Sequence, residues 1–231
     1  MISIADNIKS VSLRIQNATK SAGRKPEDIT LLAVSKTKPA DAVRAAHSAG
    51  LRDFGENYLQ EAIEKIESLS YLSIRWHFIG PLQSNKTRPV AEHFDWVHTV
   101  DRLKIATRLS DQRPPDLPPL NVCIQVNVDS EESKSGVTLK EVDALADAIT
   151  KLPHLTLRGL MCIPDPDQSD SELAESFKAV TRATQALQKK HKTIDTISMG
   201  MSQDLEIAIA EGATIVRIGT AIFGKRDYSA R

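Results

Sequence analysis

A chain of 231 residues with 30 Lys+Arg against 30 Asp+Glu has room for one large domain or two small ones, and no surplus of positive charge to draw it to nucleic acid or an anionic membrane. No apolar run approaches the roughly 18 to 20 residues that span a bilayer, and the N-terminus through Lys9 lacks the basic segment and apolar core of a signal peptide, so a cytoplasmic protein is expected. Cys123 and Cys162 each sit in an apolar run with no metal spacing and are expected to be buried free thiols; the six scattered histidines give no reason to expect metal catalysis.

Ile4, Ile8, Val11 and Ile15 recur at helical spacing and predict an amphipathic helix over 2–22, ended near Gly23. The apolar run at 29–35 predicts a first strand. Pro39 opens the next helix and Gly50 closes it, the expected asymmetry of helix ends. A short strand ends at Phe54-Gly-Glu-Asn57, and Tyr58, Ala62, Ile63, Ile66 and Leu69 mark a helix. Trp76 to Gly80 is a third strand, followed by a helix around 84–92, and Asp95 to Val100 is a fourth, with a helix through Leu103, Ala106 and Leu109. The proline cluster at 114–119 reads as a stiff surface connection. Asn121 to Val128 is the fifth strand, with a helix over about 138–151, and Leu155 to Ile163 is the sixth. A long helix through Leu173, Phe177, Val180, Thr184 and Leu187 follows. Thr196 to Met199 is a short seventh strand, a helix after Ser202 ends at Gly212, and Thr214 to Ile218 is the eighth. Eight strands with a helix in nearly every gap predict a single (β/α)8 barrel, α/β in class, spanning 1–231. An open doubly wound sheet is the competing architecture, and it too places ligands at the carboxyl ends of its strands.

Polar residues collect where the strands end: Ser35, Lys36, Thr37 and Lys38, then Glu56 and Asn57, with His77 on strand three, Asn127 after strand five, Ser198 to Ser202 after strand seven, and Arg217, Gly219 and Thr220 at strand eight. On a barrel these ring the catalytic face. Lys36 follows an apolar run, so its stem starts at the barrel mouth; a lysine there forms an imine when desolvation or a neighbouring cation lowers its pKa. Lys38 is either that cation or a solvated side chain. The turn Ser198-Met-Gly-Met-Ser-Gln-Asp204 is read either as a helix start capped by Ser202 or as a phosphate cradle built from free amides and a hydroxyl. Gly219 permits close backbone approach, and Thr220 adds an amide and a hydroxyl. Turns after strands seven and eight are where barrels commonly hold phosphate. An amine facing a phosphate site suits an aldehyde that carries a phosphate, and pyridoxal 5′-phosphate is the leading ligand. Asn57 either caps the following helix or reaches the ligand ring, and His77 is either a satisfied core histidine or part of the site. Ser133-Lys-Ser-Gly136 is either a loop over the mouth or an ordinary exposed turn.

The strings Ala33-Val-Ser-Lys-Thr-Lys-Pro39, Phe54-Gly-Glu-Asn-Tyr58, Trp76-His-Phe-Ile-Gly-Pro-Leu-Gln-Ser-Asn-Lys86, Ser198 to Asp204 and Arg217-Ile-Gly-Thr-Ala-Ile-Phe-Gly224 resemble those of the pyridoxal phosphate homeostasis protein family. The match runs from the first helix to the last residues. The resemblance implies a barrel like the N-terminal domain of alanine racemase, with the cofactor held as a Schiff base on Lys36. It further implies phosphate held by Ser202, Gly219 and Thr220, and Arg217 facing the pyridine nitrogen. The family is regarded as a carrier or regulator of pyridoxal phosphate without established turnover. Partners would then be pyridoxal-phosphate-dependent apo-enzymes or the enzymes that make the cofactor, and a monomer is expected.

Two physical points agree with a binder. A guanidinium cannot accept a proton, so the ring nitrogen opposite Arg217 stays unprotonated and the ring is a poorer electron sink. A racemase also needs acid/base groups on both faces of the substrate carbon, and the 231 residues are expected to hold no second domain to supply one. A low-activity pyridoxal-phosphate racemase or transaminase and a barrel aldolase using Lys36 toward a sugar phosphate are the alternatives.

Overall fold

Eight parallel strands close on one another in chain order: β1 (Thr30–Val34), β2 (Asp53–Glu56), β3 (Arg75–Phe78), β4 (Trp96–Val100), β5 (Leu120–Val126), β6 (Leu155–Cys162), β7 (Thr196–Ser198) and β8 (Ile215–Ile218). Closure is made by β1 against β8, with Thr30 opposite Ile215 and Leu32 opposite Arg217. The protein is therefore a (β/α)8 barrel. The computed structural model describes residues 3–129, 135–165 and 167–225.

Helices α2 (Ala40–Ser48), α3 (Leu59–Ser68), α4 (Thr87–His93), α5 (Leu103–Gln112), α6 (Val142–Ile149), α7 (Asp170–Gln188) and α8 (Leu205–Ala210) connect successive strands, and the short α9 (Thr220–Phe223) follows β8. The remaining helix, α1 (Ile4–Ser21), precedes the barrel and packs on α8 and α9. Its start is fixed by a capping box: the Ser3 hydroxyl accepts from the Asp6 amide, and the Asp6 carboxylate accepts from the Ser3 amide. Ser169 and Glu172 repeat that arrangement at the head of α7.

Helix bounds depart from the sequence reading where side chains compete for backbone. The helix expected over about 138–151 starts only at Val142, because Thr138 donates its amide and hydroxyl to Glu141 and closes a turn first. The helix expected around 84–92 opens as a 3-10 turn, Ser84–Lys86, before α4. The one expected after Ser202 opens only at Leu205, since the Asp204 carboxylate accepts from the Met201 amide and holds a turn there.

One apolar core lies between strands and helices, where Phe54, Phe94, Phe177, Ile105 and Leu109 are fully buried. The barrel interior is different. It holds two small apolar clusters, Leu32/Val34/Ile79/Ile215 and Trp96/Cys123/Met161, and between them the buried polar side chains of His77, His98, Ser198 and Arg217. Both cysteines are free and buried, and desolvation pushes each thiol up to about 12.

Candidate functional site

Lys36 stands in the turn after β1, half-buried, and the turn beneath it is held by charge. Glu56, at the end of β2, is fully buried and accepts from the Ser35 hydroxyl at 2.6 Å and from Lys65 Nζ at 2.7 Å. Lys65, itself buried on α3, also donates to the Ser35 carbonyl at 2.8 Å and to Glu61 at 2.5 Å. Glu61 in turn accepts from the Thr37 amide at 2.7 Å. Burial pushes the Glu56 carboxyl up, and the Lys65 ammonium opposes that shift. Thr37 is the one non-glycine residue with positive φ, at 62°, among the described residues. A β-branched residue adopts that conformation only when its surroundings impose it; here the Glu61 carboxylate and the Lys65 network impose it, directly beside Lys36. The sequence reading had no signal for Lys65, since a lysine on an amphipathic helix ordinarily points to water.

Two further turns come from the other end of the chain. Gly200, after β7, has φ 92°, and a Cβ there would lie 2.6 Å from the Ala208 Cβ, so only glycine fits. Beyond it Ser202 is half-buried, and it does not cap a helix: the N-cap of α8 is Asp204. Gly219 is the N-cap of α9 and Thr220 its first residue. Neither the Ser202 amide nor the Thr220 amide donates to another described residue. Helix α1 braces both turns. Arg14 donates to the Ser202 carbonyl at 3.0 Å while paired with Glu206, and the Asn7 side-chain amide donates to the Ile222 carbonyl at 2.8 Å. Neither Asn7 nor Arg14 figured in the sequence reading, because their helix looked like a plain amphipathic one.

All six residues singled out from sequence, Lys36, Asn57, Ser202, Arg217, Gly219 and Thr220, line one cavity of about 610 Å³ at the carboxyl ends of the strands. Val34 and Ile79 give it an apolar wall, and Ile163, Pro164 and Met201 also line it. Asp165, Asp170 and Asp204 add carboxylates that the sequence reading did not place there. Asn57 does not cap α3, whose N-cap is Tyr58. Its Oδ1 is buried and accepts no hydrogen bond among the described residues, which is costly unless a ligand supplies the partner. Close approach of Gly80, where a Cβ would lie 2.2 Å from the Asn57 carbonyl, fixes that position.

Other expected members of the ring fall elsewhere. Lys38 donates to the Lys225 carbonyl at 2.9 Å and does not line the cavity. His77 is a core histidine: it is fully buried, bonded at both ring nitrogens, and on the side of the opposite barrel mouth. Its position in mid-strand, two residues before Ile79, places it below the mouth. Glu56 faces Lys65 and the helical layer. Ser133 and Lys134, of the expected mouth loop, lie outside the described residues.

Arg217, on β8, is buried and donates to the Ser198 carbonyl at 2.6 Å, the Ser198 hydroxyl at 2.9 Å and the Cys162 carbonyl at 2.8 Å. No carboxylate among the described residues accepts from it. The cavity thus joins an amine, a guanidinium not neutralised by contact, an unsatisfied amide and two turns of open amides and hydroxyls. That set suits a planar, phosphorylated carbonyl compound.

Comparison with known proteins gives a consistent picture. The alanine racemase N-terminal domain family matches residues 8–227. A pyridoxal phosphate homeostasis protein of Pseudomonas aeruginosa is 62% identical over 230 residues, covering 100% of this chain and 99% of its own. The structure of PipY from Synechococcus elongatus with pyridoxal phosphate bound is 36% identical, with a TM-score of 0.83 over 96% of this chain and 100% of its own. Alanine racemase from Corynebacterium glutamicum, 18% identical, shares the fold at a TM-score of 0.71 over 96% of this chain and 63% of its own.

Proposed function

The chain belongs to the pyridoxal phosphate homeostasis protein family, built on the alanine racemase N-terminal barrel, and from that premise we propose that it binds pyridoxal 5′-phosphate and regulates its supply without turning over amino acids. The observation that carries this reading is that Lys36, from the first strand, shares one cavity with Ser202, Gly219 and Thr220, from the last two. The donor set fits the group: the cavity offers a lysine for its aldehyde, open amides and hydroxyls for its phosphate, and the unsatisfied Asn57 Oδ1 for a polar partner.

Lys36 would hold the group through its aldehyde, with one water released, so that retention would be covalent yet reversible by hydrolysis or by another amine. Ser202 and Thr220 present hydroxyls and amides to the phosphate, and Gly219 lets backbone approach it closely. Val34 and Ile79 exclude water from one side. Arg217, which donates and cannot accept a proton, would face the ring nitrogen and favour its unprotonated form. The bound cofactor supplies an electrophilic aldehyde and a conjugated ring able to accept electrons; Arg217 weakens the second property and leaves the first intact. Such a site stores and releases its ligand better than it drives carbanion chemistry. Pyridoxal-phosphate-dependent apo-enzymes and cofactor-synthesising enzymes are the partners this chemistry serves, with the protein acting as a cytoplasmic monomer.

The test is a spectrum and a peptide map. Protein mixed with pyridoxal phosphate should gain a band near the visible edge, and borohydride should fix the label on the peptide carrying Lys36. Label on Lys38 alone would overturn the site. Turnover of alanine or serine at about 1 s⁻¹ or more, within the usual enzyme range, would overturn the carrier reading in favour of a racemase or transaminase.

A further inference from the structure

Five buried side chains from five strands form one continuous hydrogen-bonded line through the barrel, from the cavity to the opposite mouth. Arg217 Nη1 on β8 donates to Ser198 Oγ on β7 at 2.9 Å. Ser198 Oγ lies 2.9 Å from Nδ1 of His98 on β4, and His98 Nε2 lies 3.0 Å from Nδ1 of His77 on β3. His77 Nε2 ends the line 3.1 Å from Oδ1 of Asp53 on β2. Arg75 holds that carboxylate from outside with two bonds, at 2.7 and 2.6 Å.

The end groups set the direction of every proton. A carboxylate only accepts, so His77 carries its proton on Nε2 and offers Nδ1 as acceptor. His98 must then donate from Nε2, which leaves its own Nδ1 to accept from the Ser198 hydroxyl. A guanidinium only donates, so Arg217 fills the Ser198 lone pair and agrees with the same direction from the other end. Burial favours the neutral form of both rings, as this arrangement requires. Trp96, stacked on His77 at 5.3 Å between centroids and 11° between planes, fixes that ring's orientation. Arg217 has no carboxylate in contact among the described residues; Asp204, of the cavity lining, favours its charge against burial, while the line joins it to Asp53 through bonds that polarise one another.

We propose that Ser198, His98, His77 and Asp53 are positioning residues for Arg217: through this one-directional line they hold its guanidinium in place toward the cofactor ring, so residues that never touch the ligand set its affinity and colour. This rests on the reading that the cavity takes pyridoxal phosphate with its ring nitrogen at Arg217.

Two measurements test it. Long-range 15N–1H NMR of the full chain, with and without cofactor, should find His77 and His98 both neutral with the proton on Nε2. A proton on Nδ1 of either ring, or an imidazolium at neutral pH, would overturn the line whatever the cavity binds. Separately, Ser198→Ala and Asp53→Asn should each shift the absorption maximum of bound pyridoxal phosphate and weaken its binding about two- to tenfold, the range of one ordinary hydrogen bond. Asp195→Asn, the same chemical change at the same mouth but outside the line, should do neither. A purely structural role would lower Tm without moving the band, so unmoved bands in both line variants sink the inference. Should Asp53→Asn fail to fold, Ser198→Ala decides, being smaller and remote from that mouth. A parent protein that takes up no cofactor fails the reading of the cavity, and the parent spectrum distinguishes that failure from failure of the variants.

Discussion

At the amino-terminal mouth of the barrel a cavity of about 710 Å³ is lined by Arg24, Arg75 and Arg158, while the carboxyl-terminal cavity, about 610 Å³, holds Lys36 and Arg217. Size and cation count alone would favour the first as the anion site. Two of its three arginines are spent, however. Arg75 is doubly bonded to Asp53, Arg158 is doubly bonded to Asp195 and also to Asn121, and Arg24 donates to the Ile209 carbonyl. At the other mouth Arg217 has no carboxylate partner among the described residues, and the Ser202 and Thr220 amides are open. An anion competes poorly for a guanidinium already in a bidentate pair, and well for donors that folding has left over. On the proposed reading the two ends divide stability and binding between them, as barrels commonly do.

Ser202→Ala should sharpen that division most. Losing a hydroxyl bond to a charged phosphate costs roughly 1.5–3 kcal/mol, or roughly ten- to a hundredfold in affinity for pyridoxal phosphate. Titration with pyridoxal, which lacks the phosphate, should show no change. Equal losses for both ligands would make Ser202 a structural residue of the turn.

Arg158→Ala should act in the opposite sense, costing stability and leaving affinity alone. It removes a half-exposed pair with Asp195 and a guanidinium 4.8 Å over the Trp96 ring, together worth about 1–2 kcal/mol. Urea unfolding would register the loss as a lower midpoint at constant slope. A weakened affinity for pyridoxal phosphate would break the separation between the mouths.

A third effect belongs to acid. Burial alone would raise the Asp53 carboxyl, but hydrogen bonds from Arg75 and His77 and the charge of Arg75 reverse this and hold it at about 2, below its ordinary 3.8. A carboxyl depressed by folding contributes stability above its unfolded value and loses it as pH falls through the folded one. Urea midpoints should therefore drop between about pH 4 and about pH 2, and drop less in Asp53→Asn. Parallel pH curves for parent and variant would mean that Asp53 is not held by that mouth.

Much of this molecule was legible in its sequence because the signals are local. An apolar run closed by a lysine, Ile29 to Lys36, needs only its own composition to be read, and the glycines after β7 and β8 mark turns by themselves. Helix starts were less legible: Glu141 and Asp204 bond to backbone amides three residues earlier and shift the boundary by a few residues. Lys65 and His77 were opaque for another reason. Whether a lysine on an amphipathic helix meets Glu56 or water depends on which strand packs beneath it, and no pattern along α3 encodes that.

The sequence by itself determined the eight strands and their helices, the lysine at the end of the first, and the small-residue turns after the last two, each through period, caps and breakers that act over a few residues. Only the tertiary structure decided that Lys36 and Thr220 share a cavity, that Arg14 braces Ser202, and that Asp53, His77, His98, Ser198 and Arg217 align. His98 and Ser198 are 100 residues apart. A hydrogen bond between them exists only once β1 meets β8, because closing the barrel turns alternate side chains of every strand into the same narrow interior.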